Sequence, residues 1–347
     1  MSSLSLNRSV LLMVVLVVGF LIVWEIYLRK LGTDNSYDDG PPIWAFHRSQ
    51  VYKPIEKSTV FIGSSRIKFD LDIDTWKSLT GEEAIQLACV GSSPLPQLYD
   101  LADDPEFKGK LIIDVTEVLF FSMGPFAVER PNKGIAYYKD ITPTQRASFV
   151  INKPLESNFV FLDKDNFSIN ALLNKLELKS RPGVFMFPIF PCEFGRVKFN
   201  RQEYMTEKFV ADTNLHNKVR AIWGFLGTVL NAPPISGTTL DSLFETVKIA
   251  IDKIEARGGK VLFVRTPSSG PFWAGEQQGY PRENYWDKLL EYTNTPGIHF
   301  MDHPATNHYI CPEFSHLTPS DAIDYTQHFI QILKDDHGWQ FPNMNKM

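Results

Sequence analysis

The stretch Thr59-Val60-Phe61-Ile62-Gly63-Ser64-Ser65-Arg66-Ile67 decides how this chain is expected to fold. It begins with a short apolar run of strand character, and a glycine and two serines follow that run directly. A strand that ends in this way can place a serine hydroxyl at the carboxyl edge of a parallel sheet, where open α/β folds bind their ligands. The stretch therefore predicts a parallel α/β fold with a candidate nucleophile at the edge of its sheet.

Further strand and helix patterns follow along the chain. We expect the first four strand-like runs to be neighbouring parallel strands, since helical patterns lie between them. Together they predict a three-layer α/β sandwich with a central parallel sheet. The predicted strands are Thr59–Ile62, Ala84–Val90, Lys110–Val115, Val261–Val264 and Ile298–Met301, and the predicted helices are Leu240–Ala256, Arg282–Tyr292 and Pro319–Leu333, the last capped by Thr318.

The N-terminus carries an uninterrupted apolar run over Val10–Trp24, which Ile26–Leu28 extends to nearly the length that a bilayer core requires. A secretory signal peptide would end sooner, before small residues at a cleavage site. A buried core helix seldom runs this apolar all round at the end of a chain. We therefore predict a membrane anchor over residues 1–31, in contact with the membrane through residues 10–28.

The rest of the chain divides by composition. Residues 32–57 are rich in Asp, Gly, Pro and Ser, which is typical of a tether. Residues 58–347 are expected to form the globular domain. Within it, the stretch at about 118–240 shows no clear alternation of strands and helices, and we interpret it as an insertion or cap with helical parts, not as a second domain.

Composition limits the possible partners and cofactors. The 347 residues are 44% hydrophobic and 22% charged, with a net charge of −5, so no basic field favours nucleic acid as a partner. Three scattered cysteines cannot form a disulfide framework or a Cys-x-x-Cys metal site. Neither a phosphate-binding nor a dinucleotide-binding glycine motif is present, so no cofactor is predicted.

A second stretch, Glu313-Phe314-Ser315-His316-Leu317, lies about 250 residues after the first and just before a predicted helix. A histidine paired with a serine is the arrangement of nucleophilic catalysis, with His316 as the base, Ser65 as the nucleophile and Glu313 orienting the imidazole. The bland alternative is that the serines are turn residues and that His316 merely flanks a helix. A metal site is the rival in the same region, because nearby residues include a His-x₄-His spacing with a cysteine behind it: Asp302, His303, His308 and Cys311.

These two stretches resemble the first and last sequence blocks of the SGNH (GDSL-type) hydrolases. In Ile62–Arg66, Ser64 stands where that family has aspartate, so the family's serine corresponds to Ser65. The resemblance implies a flavodoxin-like fold and an oxyanion hole formed by the amides of Ser65 and Gly91. In the third block Thr116 stands in place of the usual asparagine donor, and in the fourth Glu313 stands in place of aspartate.

Within that superfamily, a Gly-Ser-Ser block behind a membrane anchor resembles the accessory proteins of teichoic acid D-alanylation and of exopolysaccharide O-acetylation. The resemblance implies a serine esterase or acyltransferase acting on acyl, chiefly acetyl, esters of a cell-surface polysaccharide, beside a membrane-bound O-acyltransferase. It also implies an extracytoplasmic catalytic domain. The basic residues do not decide this orientation, because Arg8 precedes the apolar run and Arg29 and Lys30 follow it. Water and a sugar hydroxyl remain open as acceptors, and the alternative is a catalytically inactive scaffold subunit.

Overall fold

The computed structural model describes residues 3–174, 176, 188–229 and 233–344. By their internal contacts these residues form two compact units. One unit contains the described residues of 1–38 and 142–186, and the other contains those of 39–141 and 187–347. We call them the anchor unit and the sheet unit.

The sheet unit is built on a five-stranded parallel sheet in the order β2-β1-β3-β6-β7, and β4 pairs with β5 in an antiparallel ribbon. If only the strands of the large sheet are counted, the order is 2-1-3-4-5, that of flavodoxin-like doubly wound sheets. The strands are β1 Ser58–Ile62, β2 Glu83–Gln86, β3 Lys110–Asp114, β4 Arg196–Val197, β5 Glu203–Tyr204, β6 Lys260–Arg265 and β7 Gly297–His299.

Helices connect and cover the strands. Apart from two 3₁₀ turns at Arg282–Asn284 and Phe300–Asp302, those of the sheet unit are α2 Pro41–Arg48, α3 Ser65–Asp70, α4 Ile73–Thr80, α5 Leu95–Asp103, α6 Glu117–Phe120, α7 Pro125–Asp140, α11 Glu207–Ala211, α12 Thr213–Val229, α13 Gly237–Glu255, α14 Gly270–Gly279, α15 Trp286–Thr293 and α16 Pro319–Asp335. Those of the anchor unit are α1 Ser3–Lys30, α8 Pro143–Asn158, α9 Lys164–Phe167 and α10 Ile169–Asn174, with a 3₁₀ turn at Val160–Leu162.

The central strands bury both faces, because successive side chains of a strand point to opposite sides of the sheet. Val60 and Ile62 belong to the core shared with α5, α13 and α15. Phe61 between them belongs to the opposite core, shared with α3, α4 and α16. The sheet is therefore covered by helices on both faces, as the apolar runs predicted.

The predicted neighbouring parallel strands are confirmed, with shorter bounds for two elements. β2 ends at Gln86 instead of Val90, although Leu87 N still donates to Phe61 O across 2.8 Å. The predicted strand at Ile298–Met301 becomes a 3₁₀ turn from Phe300, where Thr306 Oγ1 donates to Phe300 O. The cap at Thr318 is confirmed, since its side chain accepts from Asp321 N.

Two predicted boundaries are wrong. The tether at 32–57 contains α2, in which Trp44 is buried and its Nε1–H donates to Leu87 O across 2.9 Å. Two prolines start this helix and apolar residues follow them, so it packs in the sheet unit instead of linking. The stretch at 118–240 is not one cap either: 142–174 and 176 belong to the anchor unit and most of the rest to the sheet unit, while 175, 177–187 and 230–232 lie outside the described residues.

The predicted anchor forms one continuous helix, α1. Its span Asn7–Lys30 is long and apolar enough to cross a membrane. Of the side chains described from residue 7 to residue 30, all are exposed except those of Leu21, Glu25 and Leu28. A helix that is apolar on all sides and almost entirely uncovered is typical of a membrane span.

Candidate active site

Ser65 lies at the point where the chain order of the sheet changes direction. The chain passes from β1 to β2 on one side and returns to β3 on the other, and ligands of such folds bind at this crevice. Gly63 ends β1 at a place without room for a side chain, since a Cβ there would lie 2.6 Å from Asp114 Cβ. Ser64 then caps α3 and is buried, whereas Ser65 begins that helix and is partly exposed. Of the two hydroxyls, that of Ser65 is therefore the one that a substrate can reach.

The residues predicted as a catalytic triad are brought together. His316 Nε2 lies 2.8 Å from Ser65 Oγ, and His316 Nδ1 lies 2.9 Å from Glu313 Oε1. Glu313 and His316 are buried, with 0% and 1% of their surfaces exposed. This linear arrangement is the geometry by which a base, held by a carboxylate, takes a proton from a hydroxyl.

The loop between Glu313 and His316 is folded tightly back on itself. Glu313 Oε1 accepts from the backbone N–H groups of Ser315 and His316, at 3.2 and 2.7 Å. The residue between them, Phe314, has a φ of 82°, in the left-handed region that non-glycine residues rarely adopt. Backbone strain of this kind is found at functional sites, where the surroundings hold it in place.

Glu313 has a further donor that the sequence did not indicate. Trp223, on α12, donates its indole N–H to Glu313 Oε2. Burial would raise the pKa of Glu313, but His316, through its charge and its hydrogen bonds, together with the bond from Trp223, lowers it below its ordinary value. The carboxylate that orients the imidazole is therefore held in its charged form.

Aromatic rings enclose the imidazole. The ring centroid of His316 lies 4.5 Å from that of Phe69, 5.5 Å from that of Phe194 and 6.2 Å from that of Trp223. Phe194 and Trp223 belong to the stretch that we expected to form a cap, and both come from its sheet-unit part. These rings restrict the imidazole and leave it little contact with water.

The two further residues predicted for the oxyanion hole, Gly91 and Thr116, differ in their surroundings. Gly91 adopts a φ of 61°, and among the described residues its N–H has no hydrogen-bond acceptor, as an oxyanion donor requires. The hydroxyl of Thr116 instead lies 2.6 Å from Ser64 Oγ and 3.1 Å from Asp114 Oδ2. The oxyanion role of Thr116 stays a prediction, because its hydroxyl is hydrogen-bonded to Ser64 and Asp114.

Two further carboxyl groups near these residues, those of Asp114 and Asp70, are buried. Asp114 accepts from Thr116 and from Thr266 Oγ1, and Asp70 Oδ1 accepts from Leu317 N across 3.0 Å. Burial raises the pKa of Asp114, and burial together with the neighbouring charge of Asp114 raises that of Asp70 well above its ordinary value. Neither carboxylate is marked by a motif that would have singled it out from the sequence.

Arg66 links the stretch that contains Ser65 to the stretch that contains His316. Its guanidinium donates to Glu276 and, through Nε, to Ser315 Oγ at 3.2 Å. Arg265 contacts the same Glu276 and pairs with Glu117, so that two buried cations meet two buried carboxylates. Burial acts to raise the pKa of Glu276, but both guanidinium charges outweigh it and lower that pKa to about 2.

The rival metal residues are not assembled into a site. Asp302 pairs with Arg282, His308 Nδ1 lies 3.4 Å from Pro304 O, and Cys311 is buried with its thiol toward Pro267 O. Within the described ranges no three His, Cys, Asp or Glu side chains are placed to hold a metal ion.

No protein-family model matches this chain, and a search of curated proteins finds no match.

Proposed function

We propose that this protein is a membrane-anchored serine esterase or O-acyltransferase of the SGNH type. The observation that carries the proposal is the continuous hydrogen-bonded line from Ser65 through His316 to Glu313 at the switch point of a doubly wound sheet. Because Ser65 lies 251 positions from His316 in the sequence, their alignment is difficult to explain by local packing alone.

The proposed reaction begins with attack of Ser65 Oγ on the carbonyl carbon of an ester. His316 Nε2 takes the hydroxyl proton while its Nδ1–H donates to Glu313, which stabilises the imidazolium that forms. The imidazolium then gives the proton to the departing alcohol, and an acyl-serine remains. Water or a sugar hydroxyl attacks this ester in turn and loses its proton to His316, which passes a proton to Ser65 Oγ as the acyl–serine bond breaks. Water as the acceptor makes an esterase, and a sugar hydroxyl makes an acyltransferase.

The charge that develops on the carbonyl oxygen needs donors on the side away from His316. We assign this role to the backbone N–H groups of Ser65 and Gly91, whereas the hydroxyl of Thr116, which the sequence predicted as a third donor, is engaged with Ser64 and Asp114. The amide of Ser65 opens α3, where the first N–H groups of a helix have no acceptor within the helix. The reaction requires neither metal nor cofactor.

The substrate and location follow from the resemblance and from α1. A Gly-Ser-Ser nucleophile behind an apolar N-terminal helix supports acyl esters of a cell-surface polysaccharide as the substrate, with a membrane-bound O-acyltransferase as a partner. A single span Asn7–Lys30 supports anchoring in the cell membrane. Surface polymers as substrates would require the catalytic unit to lie outside the cytoplasm.

Replacement of the nucleophile tests the proposal. In the full-length protein Ser65→Ala is expected to abolish hydrolysis of an aryl acetate and labelling by a fluorophosphonate, with an unchanged unfolding temperature. Ser64→Ala is the matched control, since the neighbouring hydroxyl is buried and does not contact His316. Labelling that persists in Ser65→Ala would identify another nucleophile and sink the assignment.

A second candidate function rests on a specific observation. Thr116 replaces the asparagine of the third block, and its hydroxyl is engaged with Ser64 and Asp114. A weakened oxyanion hole supports a catalytically inactive subunit of a membrane polysaccharide-modification assembly. A wild-type protein that never labels with the fluorophosphonate would favour this scaffold.

A further inference from the structure

The anchor unit carries apolar side chains that no described part of the chain covers. In α10 they recur at the spacing of one helix face: Ile169, Leu172 and Leu173 are 77%, 51% and 54% exposed. Leu176, beyond the end of this helix, is 57% exposed. In α8, Val150 and Ile151 are 67% and 61% exposed. We call residues 143–174 together with 176 the collar segment.

The collar segment is attached to the end of α1. The three side chains of α1 that are not exposed, Leu21, Glu25 and Leu28, lie on one face of that helix. Glu25 accepts from the backbone N–H groups of Val160 and Phe161, at 3.1 and 3.3 Å. The 3₁₀ turn of the collar segment therefore packs beside the last turns of the apolar helix.

This attachment fixes the depth of the collar segment relative to a membrane. Glu25 precedes Arg29 by four residues, and Arg29 also donates to it. At 1.5 Å per residue, Glu25 lies about 6 Å inside the polar end of the span. A carboxylate at that depth requires partners, and the collar segment supplies two of them from its backbone. Part of the collar segment thus reaches the level at which acyl chains begin.

We propose that the collar segment is a second membrane-binding element, which lies in the bilayer interface around the end of α1 and inserts its apolar side chains among the lipid acyl chains. The proposal rests on the membrane span proposed for α1. The occupant is lipid because the collar segment is hydrogen-bonded to Glu25, near the end of a helix long and apolar enough to cross a membrane. A water-facing segment would gain nothing from three exposed apolar side chains on one helix face.

Charge further specifies the lipid that this segment needs. Its residues 143–174 balance three basic side chains against three acidic ones: Arg146, Lys153 and Lys164 against Glu156, Asp163 and Asp165. Apolar burial therefore holds the segment, not attraction to anionic headgroups. The same insertion is expected in bilayers of phosphatidylcholine alone and in bilayers that contain phosphatidylglycerol.

Collision measurements on a nitroxide label test the proposal. We would label a cysteine at Leu173 in the full-length Cys192→Ser protein, in which the remaining Cys89 and Cys311 are buried. In phosphatidylcholine nanodiscs this label is expected to collide often with oxygen, which partitions into lipid, and rarely with a water-soluble nickel chelate. Asn170→Cys is the matched control for Leu172→Cys, because these two exposed positions lie about 160° apart around the helix. The label at Leu172 should behave like that at Leu173, and the label at Asn170 should favour nickel.

Two outcomes separate this inference from the proposal for α1. A label at Leu172 that meets nickel as readily as one at Asn170, while a label at Val14 in α1 meets only oxygen, would overturn the collar proposal and leave the anchor intact. A water-exposed label at Val14 would overturn the anchor and the collar together. Ile169→Cys should repeat the result at Leu173, and equal unfolding temperatures of the labelled proteins exclude a loss of folding as the cause.

Discussion

Two buried carboxylates differ in the donors around them: Glu313, which His316 links to Ser65, and Asp114, which contacts Ser64. Glu313 accepts from an imidazole, an indole and two backbone N–H groups, and its pKa is lowered. Asp114 accepts chiefly from hydroxyls, and its pKa is raised. Both residues are 0% exposed, so burial itself does not explain the difference.

The comparison teaches which partners overcome the cost of burying a carboxylate. A cation in contact and several N–H donors favour the charged form, whereas hydroxyls, which also accept, compensate less. Glu313 is thus held in its charged form, in which it would stabilise an imidazolium under the proposed mechanism. Around Asp114, hydroxyl groups form a hydrogen-bond network that includes Ser64, the N-cap of α3.

The largest effect is expected from Glu313→Gln, which removes the charge beside His316. An amide cannot accept from all the donors around Glu313, so one of its N–H groups would face another donor. We expect turnover of an aryl acetate to fall by about 10²–10⁴. Glu313→Asp keeps the charge and should retain more activity than Glu313→Gln. Equal activity of Glu313→Gln and the wild type would show that this carboxylate does not assist His316.

Trp223→Phe tests the same carboxylate with a smaller change. It keeps an aromatic ring beside His316 and removes only the N–H that reaches Glu313 Oε2. A hydrogen bond to a charged group contributes roughly 1.5–3 kcal/mol, so turnover should fall about ten- to a hundredfold. If the indole acts through the carboxylate, the change should cost less in a Glu313→Gln background. The control is Trp273→Phe, since Trp273 packs on Arg265 and does not contact Glu313. We expect this change to have little effect on turnover.

Stability against pH tests the opposite pKa changes of the two carboxylates directly. Ionised Glu313 stabilises the fold above its unfolded pKa, so the loss of unfolding free energy in Glu313→Gln should shrink as pH falls through the lowered folded pKa.

For Asp114 the pKa is higher in the folded state than in the unfolded state, so the wild type loses stability as pH rises from about 3.9. Asp114→Asn should therefore gain unfolding free energy relative to the wild type over that range. Where the folded and unfolded pKa of a carboxyl differ by one, the free energy of unfolding changes by about 1.4 kcal/mol. Urea unfolding from about pH 3 to 7 measures both, and parallel curves would refute the comparison.

The smallest effect is expected from Thr116→Val. The two hydroxyl hydrogens of Ser64 and Thr116 are both used within the group that includes Asp114, so neither is turned to the substrate. We expect turnover to change less than tenfold in Thr116→Val, with a similar result for Ser64→Ala. A fall of about 10²–10³ with unchanged substrate binding would show instead that the Thr116 hydroxyl turns to the oxyanion.

Local patterns carried most of what the sequence could predict. Ser65 follows an apolar run that only a buried strand explains, and His316 and Glu313 share one short stretch, so each could be recognised without knowledge of the fold. Their meeting was a hypothesis, since nothing in either stretch fixes the distance to the other. The parallel sheet followed because continuous apolar strands need helices on both faces.

What could not be predicted depends on contacts between distant parts of the chain. Trp223 reaches Glu313 from a helix whose apolar pattern is shared by ordinary core helices. Arg265 is the last residue of β6 and Glu276 lies in α14, and no sequence motif marks either of them. Their buried ion pair forms only when the chain folds. The helix around Trp44 was hidden among residues typical of a linker, because its stability comes from packing and not from composition.

The distance along the chain between Ser65 and His316, 251 positions, has a consequence for biosynthesis. A ribosome makes the N-terminus first, so Ser65 is synthesised while the segment that carries His316 is still unmade. Under the proposed mechanism the hydroxyl is an ordinary alcohol during that interval, since no imidazole can take its proton. Truncated chains that lack the last tenth of the sequence would therefore be chemically silent, and newly made molecules would acquire reactivity only on completion.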